Sequence, residues 1–492
     1  MDTVAALLDA GPGTSPGLGS VDGAALDRAA LAAVVHRLAG RLRAAGIGAG
    51  DRIAIVAPNG PEMALAFLAA TVTGCAAPLN PGYREEEFRF YLDDLRAKAL
   101  VTRPGDAAAA HAAAGPGVVR IALTGEFPSL DFEVPAADLP RADAPGPDDV
   151  ALVLHTSGTT ARPKIVPLRQ RNLVRSAANI ASSLALGEGD RALNVMPLFH
   201  IHGLMAGLLA PLSSGGSVVA TPGFDPFRFH GWVDELEPTY YTAVPTMHQM
   251  VLARADGPRE TALRFVRSSS ASLPPPVLED LRNLFGVPVI EAYGMTEATH
   301  QMASNPLPPL PVKPASVGLA TGIELAVLDG ESRPLAPGER GEVGIRGATV
   351  VDGYENNPAA NSAAFTGGWF RTGDEGYLDG DGYLFLTGRL KELINRGGEK
   401  VSPVEVDAVL LRHPAVAQAV AFAIPHARLG EEVGAAVVLR EGRRAGEKEL
   451  RAHVAAHLAA FKVPRRILFV DEIPKGPTGK MQRLGLAERL GL

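Results

Sequence analysis

The stretch Thr156-Ser-Gly-Thr-Thr-Ala-Arg-Pro-Lys164 follows directly on the apolar run Val150–Leu154, which has the pattern of a buried strand. Hydroxyl side chains around one glycine leave backbone N–H groups free to form an anion-binding concavity, and the lysine adds a positive charge. The stretch lacks the Lys-Ser or Lys-Thr pair that closes a P-loop. It therefore predicts a phosphate-binding loop that is not a P-loop. A polar surface turn is the alternative.

On either side of this loop, helical stretches alternate with short runs of Val, Ile and Leu. Asp27–Ala45 has the pattern of an amphipathic helix, Arg52–Ala57 that of a buried strand, and Glu62–Thr71 that of a second helix. This alternation predicts βα units around largely parallel sheets, and hence an α/β class. Two stretches rich in turn-forming residues, Pro104–Gly117 and Ala144–Asp149, are predicted to be surface connectors.

The last segment of about 100 residues has the size of a domain. A Gly-rich, charged passage introduces it, and we place the boundary near Lys391. The prediction is a large N-terminal domain of several subdomains, residues 1–390, and a small mobile α+β domain, residues 391–492. The elements predicted in the small domain are the helices Pro403–Leu411 and Glu447–Leu458 and the strands Val416–Ile424 and Val433–Leu439.

Composition disfavours several kinds of partner. The chain has 492 residues, 46% of them hydrophobic, and a net charge of −7 with scattered basic residues, so we expect neither nucleic acid nor an anionic membrane as a partner. The longest apolar run, Met63–Leu79, is interrupted by Thr71, Thr73 and Gly74 and suits a buried helix better than a membrane span. The single cysteine, Cys75, and an N-terminus without a secretory pattern lead us to expect a mature cytoplasmic protein.

The phosphate loop and four later motifs together resemble the adenylate-forming superfamily, which includes acyl-CoA synthetases, peptide-synthetase adenylation domains and luciferases. The resemblance implies ATP, Mg²⁺ and a thiol such as CoA: a carboxylate becomes its acyl-AMP with release of pyrophosphate, and the acyl group then passes to the thiol. The motifs occur in the family's order, which makes chance agreement negligible. The four later motifs are Tyr293-Gly-Met-Thr-Glu297, Trp369-Phe-Arg-Thr-Gly-Asp374, Gly388-Arg-Leu-Lys391 and Pro474-Lys-Gly-Pro-Thr-Gly-Lys480.

The motifs supply candidate nucleotide ligands. A hydroxyl at Thr296 can hydrogen-bond the α-phosphate, and the Glu297 carboxylate is a hard oxygen ligand suited to Mg²⁺. The resemblance implies these roles, and it implies that Asp374 binds the ribose hydroxyls while Arg389 donates to the ribose and phosphate side. Exposed ion pairs are the alternative for Asp374 and Arg389. The predicted ATP-binding residues are Thr156, Ser157, Gly158, Thr159, Thr160, Lys164, Ser270, Ala292, Tyr293, Gly294, Thr296, Asp374 and Arg389.

Lys480 is the residue predicted to carry the first half-reaction. Carboxylate attack on the α-phosphorus builds negative charge on the incoming oxygen and on the leaving pyrophosphate. An ammonium between them stabilises that state more than the ground state. A lysine in such a loop is otherwise usually a solvated surface group, but the resemblance of Pro474–Lys480 to the family's motif favours catalysis.

The small domain also carries the segment Asn395–Lys400. In similar enzymes this domain rotates about a hinge that matches Lys391, first presenting the lysine and then opening a channel for CoA. Gly397 and Gly398 suit that channel, because backbone without side chains allows close approach of a pantetheine arm. A flexible interdomain loop without a catalytic role is the alternative.

The phosphate loop departs from the family's pattern at two places. Ala161 and Ile165 stand where the family usually has glycine. Ile165 continues into Val166 and could extend a strand. These larger residues in place of glycine affect how closely the loop can approach the pyrophosphate.

The acid end of the site is predicted to be polar and cationic. His200 and His202 lie two residues apart, His300 follows Glu297 by three, and Arg267 precedes the run Ser268–Ser270. Donors facing an apolar tail would be unsatisfied, so a small acid with a second carboxylate fits better than a fatty or aromatic one.

These histidines also have other interpretations. His200 and His202 could hold a metal, but no third ligand of suitable spacing is evident. His200 is more simply the residue that the family places beside the acyl carbonyl, where it acts as a gate. For His300 the alternative is a histidine on a helix surface.

Within this superfamily, several stretches of the chain resemble the oxalate:CoA ligases of plants and fungi in particular. They include Pro197–Leu204, with sequence PLFHIHGL, and Glu291–Pro309, with EAYGMTEATHQMASNPLPP. That likeness covers most of the chain and implies that Ser269 and His300 hold the oxalate.

The sequence therefore predicts an acid–thiol ligase for oxalate or another small carboxylate. An adenylating enzyme that loads a carrier-protein thiol or an amine is the second hypothesis. A nucleotide-binding protein without catalysis is the third. The sequence does not indicate an oligomeric state.

Overall fold

The computed structural model describes residues 2–11, 13–135, 143–156, 163–474, 481 and 483–492. In this part of the chain the strands form four sheets, of which two are mainly parallel and lie before residue 321. A third, antiparallel sheet follows, and a fourth sheet lies after Lys391. The predicted α/β class, with a large N-terminal domain and a smaller α+β C-terminal domain, is confirmed.

The nine-stranded sheet has the order β16-β15-β14-β13-β12-β10-β11-β1-β2. Its middle strands, from β14 to β1, run parallel, while β15, β16 and β2 are antiparallel to their neighbours. The strands are β1 (Pro16–Gly19), β2 (Ala25–Asp27), β10 (Arg191–Asn194), β11 (Ser217–Ala220), β12 (Tyr240–Ala243), β13 (Phe265–Ser269), β14 (Val289–Met295), β15 (His300–Ser304) and β16 (Leu319–Ala320).

The seven-stranded sheet has the order β7-β6-β5-β3-β4-β8-β9 and is parallel except at its two edges. Its strands are β3 (Arg52–Val56), β4 (Cys75–Pro78), β5 (Ala99–Thr102), β6 (Val119–Thr124), β7 (Asp131–Glu133), β8 (Val150–Thr156) and β9 (Lys164–Arg169). The edge strand β9 contains Ile165, which pairs with His155, so the predicted strand extension is confirmed.

Helices cover both parallel sheets. In the large domain they are α1 (Val4–Leu8), α2 (Arg28–Ala44), α3 (Pro61–Thr73), α4 (Glu85–Leu95), α5 (Ala108–Ala113), α6 (Gln170–Ser183), α7 (Ile201–Leu204), α8 (Ala210–Ser213), α9 (Phe229–Leu236), α10 (Pro245–Leu252), α11 (Pro275–Phe285) and α12 (Pro358–Ala364), with a π-helical turn at Met205–Leu209 and a 3₁₀ turn at Thr296–Ala298. The predicted helices and strands around residues 27–71 are thus confirmed, with α2 capped by the Asp27 carboxylate, which accepts from the N–H of Ala30 at 2.7 Å.

The longest apolar run of the sequence lies in α3 and β4. Nearly every α3 residue is buried, because the helix is covered on all sides by other elements. Among the described residues, no helix is both long and apolar enough to cross a membrane.

One predicted connector is wrong and the other is confirmed. Pro104–Gly117 contains the helix α5, because its alanines favour a helix and Ala110 and Ala113 bury their methyl groups in a core shared with α4. Ala144–Asp149 contains no helix or strand and remains at least partly exposed.

The third sheet is antiparallel throughout. Its strands are β17 (Glu324–Leu328), β18 (Gly341–Arg346), β19 (Phe365–Thr366), β20 (Trp369–Leu378) and β21 (Leu384–Arg389). The pairing of β20 with β21 places Asp374 directly opposite Arg389, so two residues from separate motifs meet in register.

The C-terminal segment has a sheet and a hydrophobic core of its own. Its elements are β22 (Ile394–Arg396), β23 (Glu399–Val401), α13 (Pro403–Leu410), β24 (Val416–His426), β25 (Gly430–Leu439), α14 (Glu447–Ala455), a 3₁₀ turn at Ala460–Lys462, β26 (Arg466–Phe469) and α15 (Leu486–Arg489). All four elements predicted here are present. The exact boundary near Lys391 and the mobility of the domain stay predictions.

Candidate active site

A cavity of about 780 Å³ lies where the carboxyl ends of β12, β13 and β14 face the third sheet and the C-terminal domain. Ligands of open parallel sheets bind at this end of the strands. The C-terminal domain contributes lining residues that include Asp407, Arg412 and Arg483. The cavity therefore lies between the two parts of the chain, and its size suits a nucleotide-sized ligand. The predicted nucleotide residues on its wall are Ser270, Ala292, Tyr293, Gly294, Asp374 and Arg389.

A polar cluster occupies one wall of this cavity. The Arg389 Nε donates to Asp374 Oδ1 at 2.8 Å, and the Tyr293 hydroxyl donates to Asp374 Oδ2 at 2.5 Å. The Asp374 charge raises the pKa of Arg389 above its usual value. Burial and the same carboxylate raise the pKa of Tyr293, which keeps the phenol protonated. The Asp374 side chain is 12% exposed and that of Arg389 43%, so the carboxylate of this ion pair is buried while the guanidinium remains partly in contact with solvent.

The ends of the predicted phosphate loop are tied together. Thr156 closes β8 and Lys164 opens β9, and the two residues pair across the strands. The first and last residues of the predicted loop therefore lie opposite each other at the antiparallel edge of the seven-stranded sheet. Ser157, Gly158, Thr159, Thr160 and Ala161 lie outside the described residues, as does Lys480.

The metal-binding candidate Glu297 has a partner that the sequence interpretation missed. Its Oε1 accepts a hydrogen bond of 2.7 Å from the Tyr354 hydroxyl, and the Lys164 Nζ lies 4.3 Å from the centroid of the Tyr354 ring. The only sequence signal was a tyrosine after a glycine in a stretch rich in Asn and Pro, Asp352–Pro358, which by itself indicates no more than a turn.

The chemistry of Glu297 fits Mg²⁺. Magnesium is commonly held by one or two carboxylates together with substrate phosphate oxygens and water. Within the described ranges, no three His, Cys, Asp or Glu side chains are close enough to form a metal site of their own. An ion at Glu297 would accordingly share its coordination with a bound phosphate.

The predicted acid residues form a compact buried cluster around Arg267. This guanidinium lies on β13 and is fully buried. Its Nη1 donates to Thr242 Oγ1 at 2.9 Å and to His202 Nε2 at 3.2 Å. Its Nη2 donates to Gln301 Oε1 at 2.9 Å and to His300 Nε2 at 3.2 Å. The sequence interpretation included Arg267 and the histidines but missed Thr242 and Gln301.

These contacts determine where the imidazole protons lie. A guanidinium has no acceptor, so the Nε2 atoms of His202 and His300 must both accept, and each neutral ring then carries its proton on Nδ1. The His202 Nδ1–H donates to Ser270 Oγ at 3.1 Å. The two rings stack with centroids 4.8 Å apart. The buried cluster is thereby connected to Ser270 on the cavity wall.

In the part of the chain that the structure describes, Arg267 has no acidic counterpart. Among the described residues, no carboxylate lies within ion-pair distance, and only neutral groups accept its hydrogen bonds. Burial lowers the pKa of Arg267 to about 10, which still leaves it charged at neutral pH. The cluster therefore carries a buried positive charge that no carboxylate in the described ranges neutralises.

A bulge brings His300 and Gln301 to the same guanidinium. Consecutive strand residues normally point to opposite faces, but the β14–β15 pairing shifts its register after Tyr293, and His300 has a φ of 91°. A Cβ on Gly294 would lie 2.1 Å from the His300 carbonyl oxygen. Glycine at this motif position therefore permits the bulge. His300 is buried on β15, so the alternative of a helix-surface histidine is wrong.

The remaining predicted acid residues are Ser269, on the same strand as Arg267, and His200. The Ser269 hydroxyl is buried and donates to the Ala292 carbonyl at 2.9 Å, which leaves its lone pairs as acceptors. His200 precedes α7 and is half-buried, with its ring next to that of Phe199. The acid-binding roles of both residues stay predictions.

The C-terminal domain reaches the cavity through Arg483. This guanidinium donates to Asp407 Oδ2 at 2.5 Å and to the Ala421 carbonyl at 2.9 Å, and its Nε lies 3.5 Å from the Glu392 carboxylate. It links the residue after the predicted hinge Lys391 to the fourth sheet. Met481 and Arg483, which follow Lys480 in the sequence, both line the cavity.

The predicted CoA-facing glycines form a tight turn. Gly397 and Gly398 connect β22 to β23 with φ angles of 59° and 95°, the combination that a two-residue hairpin requires. The conformation of the hairpin therefore explains the two glycines independently of their proposed role beside CoA.

Comparison with known proteins agrees with this geometry. Residues 20–355 match the model of the AMP-binding enzyme family, and residues 405–480 match that of the AMP-binding enzyme C-terminal domain. The chain belongs to the AMP-binding enzymes. The family model and the family's CoA-ligase relatives establish it as an acid–thiol ligase.

Relatives and solved structures cover nearly the whole of this AMP-binding enzyme. It is 48% identical to an oxalate–CoA ligase of Arabidopsis thaliana over 94% of this chain and 93% of the relative. It is 38% identical to a sulfoacetate–CoA ligase of Cupriavidus necator over 99% and 97% of the two chains. The crystal structure of ATP-bound MatB from Rhodopseudomonas palustris matches with a TM-score of 0.90 and 29% identity, over 99% and 98% of the chains. AMP-binding CoA ligases use ATP, Mg²⁺ and CoA.

Proposed function

We propose that this AMP-binding enzyme is an ATP-dependent CoA ligase for oxalate or another small acid with a second anionic group. The observation that carries the proposal is the buried, unneutralised guanidinium of Arg267. A charge removed from water is costly unless it is paired. An acid whose far end is anionic would provide that pairing when it binds.

The surroundings of Arg267 support this acid class. His202 and His300 accept from the guanidinium, so each carries its N–H on the other nitrogen, and that of His202 donates to Ser270 on the cavity wall. Polarised by the adjacent cation, such donors favour an anionic ligand over an apolar tail. Ser269 adds a hydroxyl on the same strand. We assign the second anionic group of the acid to this cluster, with His300 and Ser269 as its contacts and Arg267 behind the imidazoles.

The names of the relatives point in the same direction. One is named for oxalate and another for sulfoacetate. Both acids are small and carry a second negative group besides the reacting carboxylate. The shared chemistry is therefore a short dianion, with oxalate as the first candidate.

The remaining residues fit the activation of that acid. We assign the adenine and ribose to the cavity wall formed by Tyr293, Asp374 and Arg389. Thr296 and Lys164 would donate to the phosphates, and Glu297 would hold Mg²⁺, which neutralises phosphate charge when bound. His200 would stand beside the reacting carboxylate as a gate.

Lys480 would complete the first half-reaction. Its neighbours Met481 and Arg483 line the cavity, so the end of the chain lies within reach of a bound nucleotide. An ammonium placed there stabilises charge that develops in the transition state. The thiol of CoA would then displace AMP from the acyl carbon, with the Gly397–Gly398 turn beside the pantetheine arm after rotation about Lys391.

The test is a panel of acids supplied to the purified enzyme with ATP, Mg²⁺ and CoA. Pyrophosphate release is measured for oxalate, malonate, acetate, a medium-chain fatty acid and coumarate, and the acyl-CoA is identified by mass spectrometry. Oxalate or malonate should give the highest rate. Faster turnover of the fatty acid or coumarate would refute the proposed acid class.

The acceptor is tested in the same experiment. Pyrophosphate release without acyl-CoA formation would favour the second hypothesis, in which the acyl group passes to a carrier-protein thiol or an amine. An enzyme that binds ATP but releases no pyrophosphate with any acid would favour the noncatalytic alternative.

A further inference from the structure

One aromatic side chain contacts both charged groups expected around the triphosphate. The Tyr354 hydroxyl donates to Glu297 Oε1 at 2.7 Å, while the Lys164 ammonium lies over the ring at 4.3 Å from its centroid. Tyr354 is only 6% exposed, so neither contact is shared with bulk water to any large extent. A buried cation–π contact and a phenol–carboxylate hydrogen bond thus meet on one residue.

Backbone hydrogen bonds also join the chain around Tyr354 to Glu297 and to Ile165, the residue next to Lys164. The N–H of Val351 donates to the Glu297 carbonyl at 2.9 Å, and the N–H of Glu355 donates to the Ile165 carbonyl at 3.1 Å. Asn361 exchanges two side-chain hydrogen bonds with the Tyr354 backbone, at 2.7 and 2.9 Å. The segment Val351–Glu355 therefore bridges the 3₁₀ turn that carries Glu297 and the strand that begins with Lys164.

We propose that Tyr354 is a positioning residue for MgATP, orienting the Glu297 carboxylate toward the metal and the Lys164 ammonium toward the phosphates. The inference rests on the proposed function only in assigning MgATP to Glu297 and Lys164; it does not depend on which acid is used. Tyr354 lies outside both motifs that supply Glu297 and Lys164.

The physical reason is preorganisation. An unrestrained glutamate samples several rotamers, and ordering it upon metal binding costs conformational entropy. A hydrogen bond to one carboxylate oxygen fixes the rotamer and leaves the other oxygen available to the ion. The ring face likewise restricts Lys164, whose flexible stem would otherwise place its charge at many positions.

The direction of the hydrogen bond follows from the groups involved. A phenol has a single O–H, and Tyr354 donates it to Glu297 Oε1 while its ring face contacts the Lys164 ammonium.

The inference is tested by ATP binding in the absence of acid, measured by titration calorimetry at a series of Mg²⁺ concentrations. Tyr354→Phe keeps the ring but removes the hydroxyl, and it should raise the Mg²⁺ concentration for half-maximal enhancement of ATP binding about 10-fold. Tyr354→Leu should show the same shift and also weaken ATP binding a few-fold in EDTA, because the face that holds Lys164 is lost.

A matched control is Tyr383→Phe, which removes a hydroxyl that donates to the Pro311 carbonyl at 2.7 Å, and it should leave both quantities unchanged. In a Glu297→Ala background, Tyr354→Phe should have no further effect on the Mg²⁺ dependence, because the acceptor is gone.

An unchanged Mg²⁺ requirement in Tyr354→Phe, or an equal shift in the Glu297→Ala background, would overturn the role toward Glu297. Equal ATP affinity of the Phe and Leu variants in EDTA would overturn the role toward Lys164. If Tyr354→Phe does not fold, Asn361→Ala must produce the Mg²⁺ shift, or the inference fails. A wild type that binds MgATP normally but activates no small dianion would refute the proposed function alone.

Discussion

Single residues explain why the chain acts on charged, phosphate-bearing ligands. Motif residues that lie far apart in the sequence, such as Asp374 and Arg389, were identified because their motifs resemble those of the adenylate-forming superfamily; without that resemblance an exposed ion pair was the simpler interpretation. Tyr354, Thr242 and Gln301 were not identified, because each acts through a partner at least 25 residues away that no local pattern reveals. Their residue types are common on ordinary strands and turns.

At this scale the test of the first half-reaction is Lys480→Ala. We expect acid-dependent ATP–pyrophosphate exchange to fall by about 100-fold or more, because a cation that stabilises transition-state charge is lost. Thermal unfolding should be unchanged. Lys448→Ala, which removes an exposed lysine from the same domain, serves as the control. Undiminished exchange in Lys480→Ala would contradict the assigned role.

Among the elements, β14 carries the largest share of the site. It supplies Ala292, Tyr293 and Gly294 to the cavity wall and leads into the turn with Thr296 and Glu297. The sequence predicted α2, β3 and the four C-terminal elements, whereas β14 was represented only by the motif Tyr293–Glu297 and was not predicted as a strand. The bulge opposite His300 was not predicted either, because a register shift is set by pairing with β15 rather than by the letters of either strand.

β14 also buries an acid that the proposed chemistry does not use. Glu291 accepts from the N–H of Leu273 at 2.9 Å, and burial raises its pKa to about 8 from an ordinary value of 4.5. Between these two values the unfolded chain is ionised while the folded protein holds the proton. Stability from this group is therefore fully present below pH 4.5 and is lost as pH rises toward 8.

Glu291→Gln should remove that pH dependence, because the amide oxygen can still accept from Leu273 without ionising. The variant should gain stability over the wild type, with a difference that grows to roughly a few kcal/mol between pH 5 and pH 8. Urea unfolding midpoints at several pH values measure this. A difference that stays constant across the range would show that Glu291 is not buried as an acid.

For the whole molecule, the main feature is a cavity whose walls come from both domains. The two-domain organisation followed from length and from the Gly-rich passage before the last segment. The contacts that hold the C-terminal residues on the cavity wall did not, because charged residues such as Glu392 and Arg483, which pair within the C-terminal domain, have no local signature of being partners.

Lys391→Pro tests the proposed rotation. Proline fixes φ, so the variant should retain one domain arrangement and lose access to the other. We expect ATP–pyrophosphate exchange to stay within a few-fold of wild type while acyl-CoA formation falls at least about 10-fold. Lys391→Ala, which removes the charge but keeps the backbone free, should affect neither rate strongly. Equal losses in both half-reactions would argue against a hinge at this position.

The central claim is that an unneutralised buried cation selects an acid with a second negative group. The most direct test compares oxalate with acetate in the wild type and in Arg267→Met. Pyrophosphate release as a function of each acid gives kcat/KM. We predict that the wild type prefers oxalate and that Arg267→Met lowers kcat/KM for oxalate roughly 100-fold while acetate changes much less, as expected when one partner of a buried charge pair is removed. An unchanged preference for oxalate in a folded Arg267→Met protein would contradict the account.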